Sequence, residues 1–218
     1  MRNIIKKTGL VGVVLLAFLS CSEFEEINID PVAASGDQVQ IEYFINGAIG
    51  GAQMDPHIAE RVFVLYWDRV GGMTRSGGLT TGSANDDWSS DYYNGYVSKW
   101  LRNLNAGIEV ADQQIAAGTA KEHTHNLKQV ARIWRAYLMS EMSDNFGPIP
   151  VDGFQGVNPE YSDVKTVYYY MLQELKEATN AFDLEVSNPD NALKKLDPAY
   201  EYDYAKWKKY GNSLRMRL

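Results

Sequence analysis

The chain holds a single cysteine among 218 residues, and that residue, Cys21, stands close to the start. With no second thiol there is no internal disulfide and no thiolate cluster for a metal. Histidine is nearly as scarce, with three in the chain. His123 and His125 are two positions apart, so on a helix they point in different directions, and no third ligand lies near them in sequence. Basic residues are outnumbered, 21 against 28 acidic ones, for a net charge of −7. That balance argues against nucleic acid or anionic lipid surfaces as partners. Runs of alternating polar and apolar residues are missing too, which removes the main signal for half-buried strands. Catalytic signatures are absent in usable form. Ser143-Asp144-Asn145 and Ser162-x-x-Lys165 match fragments of the penicilloyl-serine enzymes in reversed order. The glycine-rich segment at 71–82 lacks the lysine of a phosphate-binding loop. Asp and Glu are plentiful enough to supply a glycosidase pair, but their separation cannot be read from sequence.

What the chain does have begins with its first twenty residues. Arg2, Lys6 and Lys7 form a basic head, followed by an apolar run from Leu10 to Leu19. That run is about half of the ~20 residues a membrane-spanning helix needs and fits the core of a secretory signal. Ser20-Cys21 follows at once and resembles the lipobox of bacterial lipoproteins, in which the cysteine is acylated and becomes the first mature residue. Several acyl chains, at about 0.8 kcal/mol per buried methylene, make a lasting anchor. Residues 1–20 therefore read as a signal peptide, Cys21 as a lipid-attachment site carrying palmitate-type chains, and 21–37 as an acidic leader. Residues 38–218 read as one helical domain. A hydrophobic content of 45% with 12% aromatics supplies material for a packed core.

Within that domain, apolar residues recur at intervals of three and four. Ile41, Phe44, Ile45, Ala48, Ile49 and Ala52 make the first stripe. Ile58, Val62, Leu65 and Tyr66 make a second, stopped by Gly71-Gly72. The third runs through Tyr93, Tyr96, Val97, Trp100, Leu104, Ile108, Ala111 and Ile115 to Gly118. Leu127, Val130, Ala131, Trp134, Tyr137 and Leu138 form the fourth, ended by Gly147. Val164, Val167, Tyr168, Met171, Leu172, Leu175, Ala178 and Phe182 form the fifth, for which Ser162 is the expected N-cap. Asp203 is placed to cap a sixth, with Trp207, Tyr210 and Leu214 inward. The class is all-α. Bulky aromatics beside Ala and Gly suit an irregular, tetratricopeptide-like stack of antiparallel helix pairs, without a fixed 34-residue period. The last stripe reaches Leu218 with no capping residue, so a further C-terminal portion is expected.

Several segments carry a family resemblance. Asp144-Asn145-Phe146-Gly147-Pro148-Ile149-Pro150 is similar to the Asp-x-Tyr/Phe-Gly-x-Ile/Val-Pro signature of SusD/RagB proteins. Val167-Tyr168 through Leu175 and Ala178 resembles the next helix of that family. Lys206-Trp207 with Asn212-Ser213-Leu214-Arg215-Met216-Arg217 resembles its Lys-Trp and Asn-Ser-Leu-x-x-Arg helix. The acidic stretch behind Cys21, followed by Ile27-Asn28-Ile29-Asp30-Pro31, resembles the opening of cell-surface lipoproteins of Bacteroidetes. One departure stands out: Tyr200-Glu201-Tyr202-Asp203 replaces the Gly-Asp pair that family members often carry there.

The resemblance implies a SusD-like α-superhelix of the starch-binding-associated branch, anchored in the outer membrane and facing the cell exterior. It implies a nutrient-uptake role: binding oligosaccharides, or in some members peptides, and delivering them to a SusC-type TonB-dependent transporter. It implies no catalysis, no cofactor and no metal. It carries no fixed ligand residues, so these come from chemistry alone. Sugars stack their C–H faces on aromatic rings and give their hydroxyls to carboxylates and amides. Trp67, Asp86, Asp87, Trp88 and Tyr92 flank the glycine-rich segment and supply both kinds of contact. Tyr93 and Tyr96 fall on the expected buried stripe instead. A lipid-anchored helical glycoside hydrolase, or a scaffold lipoprotein with no small ligand, remain open alternatives.

Overall fold

A computed structural model describes residues 39–52, 71–73, 87–151 and 160–218, and of 87–89 the backbone only. The chain divides into Met1–Gln38 and Val39–Leu218, and the described elements all belong to the second unit. Its helices are α1 (Ile41–Gly51), α2 (Asp87–Gly95), α3 (Arg102–Ala117), α4 (Thr124–Phe146), α5 (Val164–Asn180), α6 (Asn191–Lys194) and α7 (Tyr204–Arg217). A π-helical turn, Tyr96–Leu101, joins α2 to α3 through residues that keep right-handed helical angles. Two-residue strands β1 (Ile149–Pro150) and β2 (Tyr161–Ser162) pair antiparallel, Ile149 opposite Ser162 and Pro150 opposite Tyr161. The expected second helix, Ile58 to Tyr66, lies outside the described residues. Gly71 to Met73 form a turn, with Gly72 at φ +71°.

Each long helix packs on its neighbour in sequence: α1 on α3, α3 on α4, α4 on α5, and α5 on α7. The result is the irregular, tetratricopeptide-like all-α stack read from the stripes. Ile45, Leu104, Val130, Ile133, Met139, Met171, Leu175 and Trp207 are sealed from solvent along its axis. Packing is tightest at Gly211 of α7. A Cβ there would come within 2.7 Å of Thr179 Cγ2 and 3.0 Å of Ile133 Cδ1, so α7 lies against α4 and α5 only because position 211 has no side chain. Among the described residues, no helix is long and apolar enough to cross a membrane.

Helix ends follow local chemistry. Gly118 and Gly147 close α3 and α4 at φ +70° and +79°. Asp203 caps α7, accepting from Lys206 N at 3.0 Å. At α5 the capping residue differs from the expected Ser162. Asp163 takes that role, accepting from Thr166 N at 2.8 Å, because Ser162 is held in β2 opposite Ile149. The two short strands also depart from a strand-free reading, since a two-residue pairing leaves no periodic trace.

Polar groups tie the stack together where stripes alone would allow sliding. Arg132 of α4 grips Glu174 of α5 in two bonds, Nε at 3.0 Å and Nη2 at 2.7 Å, and reaches Glu177 at 2.7 Å. Arg135 adds a 2.5 Å bond to Glu174 and a 2.6 Å bond to Asn105 of α3. Burial pulls the Glu174 carboxyl upward, but the two guanidinium groups outweigh it and hold it below the usual range.

A second polar centre is more deeply buried. Glu42 of α1, 1% exposed, accepts from Asn188 Nδ2 at 2.8 Å and faces His123 Nε2 at 3.6 Å, with His123 4% exposed. Burial would raise the Glu42 carboxyl, yet the bonds from His123, from its own backbone amide and from Asn188 leave it lowered from 4.5. A carboxyl lowered in the fold contributes stability that is complete above its unfolded value and is lost as pH falls through the folded one. Unfolding followed from pH 7 down to 3 should therefore show stability dropping below pH 4.5. Glu42→Gln should cost about 1–3 kcal/mol at pH 7 and flatten that acid slope. An unchanged slope in the variant would place the acid sensitivity elsewhere.

The departure at Tyr200–Asp203 has a structural signature. Among the described residues, Glu201 and Tyr202 are the non-glycine positions with left-handed backbone, at φ 52° and 54°. The resemblance implied a Gly-Asp pair in this stretch; here side chains occupy left-handed positions that glycine would adopt without strain. Tyr202 offsets part of this by burying its ring, with its hydroxyl 3.5 Å from the Glu42 carbonyl. Glu201 is exposed and gains nothing comparable. Glu201→Gly should raise stability by roughly 0.5–1 kcal/mol in thermal or denaturant unfolding.

Candidate functional site

The site grows out of the exit from α4. Gly147 turns the chain, and the following Pro148-Ile149-Pro150 runs extended so that Ile149 and Pro150 can pair with β2. Along this segment almost every residue has a partner. Asp144 accepts from the Tyr168 hydroxyl, Phe146 packs on Tyr92 and Tyr93, and the Pro150 carbonyl accepts from the Tyr96 hydroxyl at 3.3 Å. The pairing of Pro150 with Tyr161 then carries the Tyr161 ring over α2.

There it meets Tyr93. The two rings are nearly parallel, 9° apart with centroids 6.4 Å apart, and their hydroxyls bond at 2.7 Å. Tyr93 is held from behind by Phe146, edge-on at 5.2 Å and 72°. Tyr161 is 61% exposed, so the pair presents an aromatic surface whose inner ring is fixed by the core and whose outer ring faces water. Burial, and next the bond to Tyr161, push the Tyr93 hydroxyl upward, so the phenol stays neutral at any physiological pH. Asn94, bonded to Ser90 at 3.3 Å, and Ser98, bonded to the Asn94 carbonyl at 2.5 Å, give exposed amide and hydroxyl groups on the neighbouring turns. On α5 a further exposed ring, Tyr169, lies under the Lys165 ammonium at 5.9 Å.

The residues expected at a ligand are placed as follows. Cys21, Trp67 and Asp86 lie outside the described residues. Asp87 and Trp88 open α2, with their backbone alone described. Tyr92 is 5% exposed and packs edge-on against Trp100 at 5.6 Å, which makes it a core ring and does not suit the ligand role expected for it. Its neighbour Tyr93, expected on the buried stripe, is the one that reaches the surface. The π-helical turn explains the exchange. Upstream of it Tyr92 is buried, within it Tyr96, Val97, Trp100 and Leu101, and downstream Leu104, Gly107 and Ala111. A single 3.6-residue period drawn back from α3 crosses this extra residue and selects Tyr93. Tyr161 belongs to no stripe, so periodicity alone does not find it. Among the described residues, no three His, Cys, Asp or Glu side chains gather as a metal site.

A stack of antiparallel helix pairs with an aromatic face at one helix exit suits a binding protein as readily as an enzyme, and kinship is what separates the two. Residues 47–218 match the family described as SusD-like, starch-binding associating with outer membrane. The chain belongs to that family. A SusD homologue from Parabacteroides distasonis is similar to it at 26% identity, with a TM-score of 0.66 over 82% of this chain and 35% of that one. A SusD-like protein from Bacteroidetes AC2a is similar at 25% identity, with a TM-score of 0.61 over 82% of this chain and 33% of that one. The chain thus spans about a third of the length of these solved relatives. A search of curated proteins found no match.

Proposed function

We propose that this protein is a cell-surface lipoprotein, anchored through Cys21, that binds starch-type oligosaccharides and passes them unconverted to a SusC-type TonB-dependent transporter. Family membership over residues 47–218 supports carbohydrate binding in association with the outer membrane. The observation that carries the reading to particular residues is the Tyr93–Tyr161 pair, an exposed ring held parallel to a half-buried one that Phe146 backs. A sugar needs a flat apolar surface for its C–H face and nearby polar groups for its hydroxyls. The ring pair supplies the first, and Asn94, Ser90 and Ser98 supply the second. Rigidity favours binding, because the rings lose little freedom when a ligand arrives. Trp88, Asp86, Asp87 and Trp67 remain proposed contributors from the same side of the sequence.

Calorimetric titration with maltoheptaose tests this reading. The protein should bind it without releasing shorter sugars, and Tyr161→Ala should weaken binding by up to about tenfold while leaving the fold intact. Affinity unaltered by Tyr161→Ala, or the appearance of cleaved sugars, would defeat it.

A further inference from the structure

Charge is unevenly spread over the stack. α7 carries Lys206, Lys208, Lys209, Arg215 and Arg217 and no acidic residue, in a chain whose net charge is −7. The other long helices are not basic in this way: α3 has Glu109 and Asp112 beside Arg102, α4 has Glu141 and Asp144, and α5 has Glu174 and Glu177. Tyr204, Trp207, Gly211 and Leu214 turn one side of α7 into the stack, so its bases fall on the other. Lys206, Lys209, Arg215 and Arg217 are exposed, and Lys208 is half-buried.

Little within the fold neutralises this face. Lys206 lies 3.4 Å from its own capping Asp203 and Arg217 4.0 Å from Glu141, and with both cations well exposed such pairs are weak. Lys208, Lys209 and Arg215 form no ion pair among the described residues. Helix electrostatics accounts for only part of the pattern. Arg215 and Arg217 in the last turn complement the macrodipole, whereas Lys206 in the first turn opposes it. Between the two arginines the Met216 side chain stands 82% exposed.

We propose that the outer face of α7 is a docking surface for a membrane bearing phosphate lipid headgroups. The family's association with the outer membrane brings such a surface within reach, and the inference rests on that and not on sugar binding. Complementary charge selects the partner. Guanidinium forks suit phosphate oxygens, the lysines add point charge, and Met216 offers a flexible apolar arm to the headgroup layer. The net negative charge of the chain does not oppose this, because exposed charges more than about 8 Å away are largely screened at physiological salt.

The test compares partition of the full chain, carrying Cys21→Ser so that no acyl chain contributes, between vesicles of phosphatidylglycerol and of phosphatidylcholine. The parent should favour the anionic vesicles, and salt of roughly 1 M, where the Debye length is about 3 Å, should erase the preference. Lys209→Gln with Arg215→Gln should lower that preference about tenfold. Lys99→Gln with Arg102→Gln removes the same charge from other exposed positions and should leave it unchanged. The basic head at Arg2, Lys6 and Lys7 is common to all three proteins and cancels in the comparison. The inference fails if the α7 variant keeps the parent's preference, or if both variants lose it equally. Self-association that the α7 variant abolishes, with no vesicle preference in the parent, would make the face a contact between copies and overturn the membrane reading. Because maltoheptaose binding is read at Tyr161, failure of either reading leaves the other standing.

Discussion

Asp197 is fully buried, and the loop before α7 and α7 itself converge on its carboxylate. One oxygen accepts from the indole Nε1 of Trp207 at 2.7 Å and from the Tyr202 amide at 2.8 Å. The other accepts from the Ala199 amide at 2.9 Å and sits 3.3 Å from that of Tyr200. A buried carboxylate is tolerable only when its lone pairs are filled, and here backbone and indole donors fill them, with no cationic partner among the described residues. The same bonds fix the tight loop before α7 and orient Trp207, around which Trp134, Tyr200 and Tyr210 pack edge-on. The Lys-Trp pair in the family signature therefore has a mechanical meaning. Trp207 is the residue through which a polar loop and an apolar stack share one anchor.

A parallel logic governs the other signature. Asp144 to Pro150 could be read as a helix exit and nothing more. In the folded chain it holds Tyr168, two core tyrosines and the short strand that positions Tyr161. Helix termination and the presentation of the aromatic face are thus the same event. Replacing the turn would disturb both, even though none of its own side chains need touch a sugar.

Much of the fold is legible in the sequence because helical stripes report burial directly. Val167, Met171, Leu175 and Ala178 are all sealed in the core, and Asp203, Gly118 and Gly147 bound their helices where expected. The features that periodicity misses have no periodic imprint. Asp163 in place of Ser162 depends on a strand of two residues. Glu42 and His123 lie 81 positions apart in sequence, and only the stacking of α1 beside α4 brings them together. The site is harder still. Composition draws attention to aromatics around residue 90, but whether a given ring faces core or water there turns on a local change in helical winding. Tyr161 becomes meaningful only once its partner strand is known.

That change in winding bears on which changes of length this helix can tolerate. Along a regular helix, one inserted or deleted residue rotates everything on one side by about 100°, which would drive either Tyr92 or Leu104 out of the core. The turn at Tyr96–Leu101 already absorbs one extra residue while Tyr92 upstream and Leu104 downstream both face inward. A one-residue deletion within that turn would restore ordinary winding and spare both flanks.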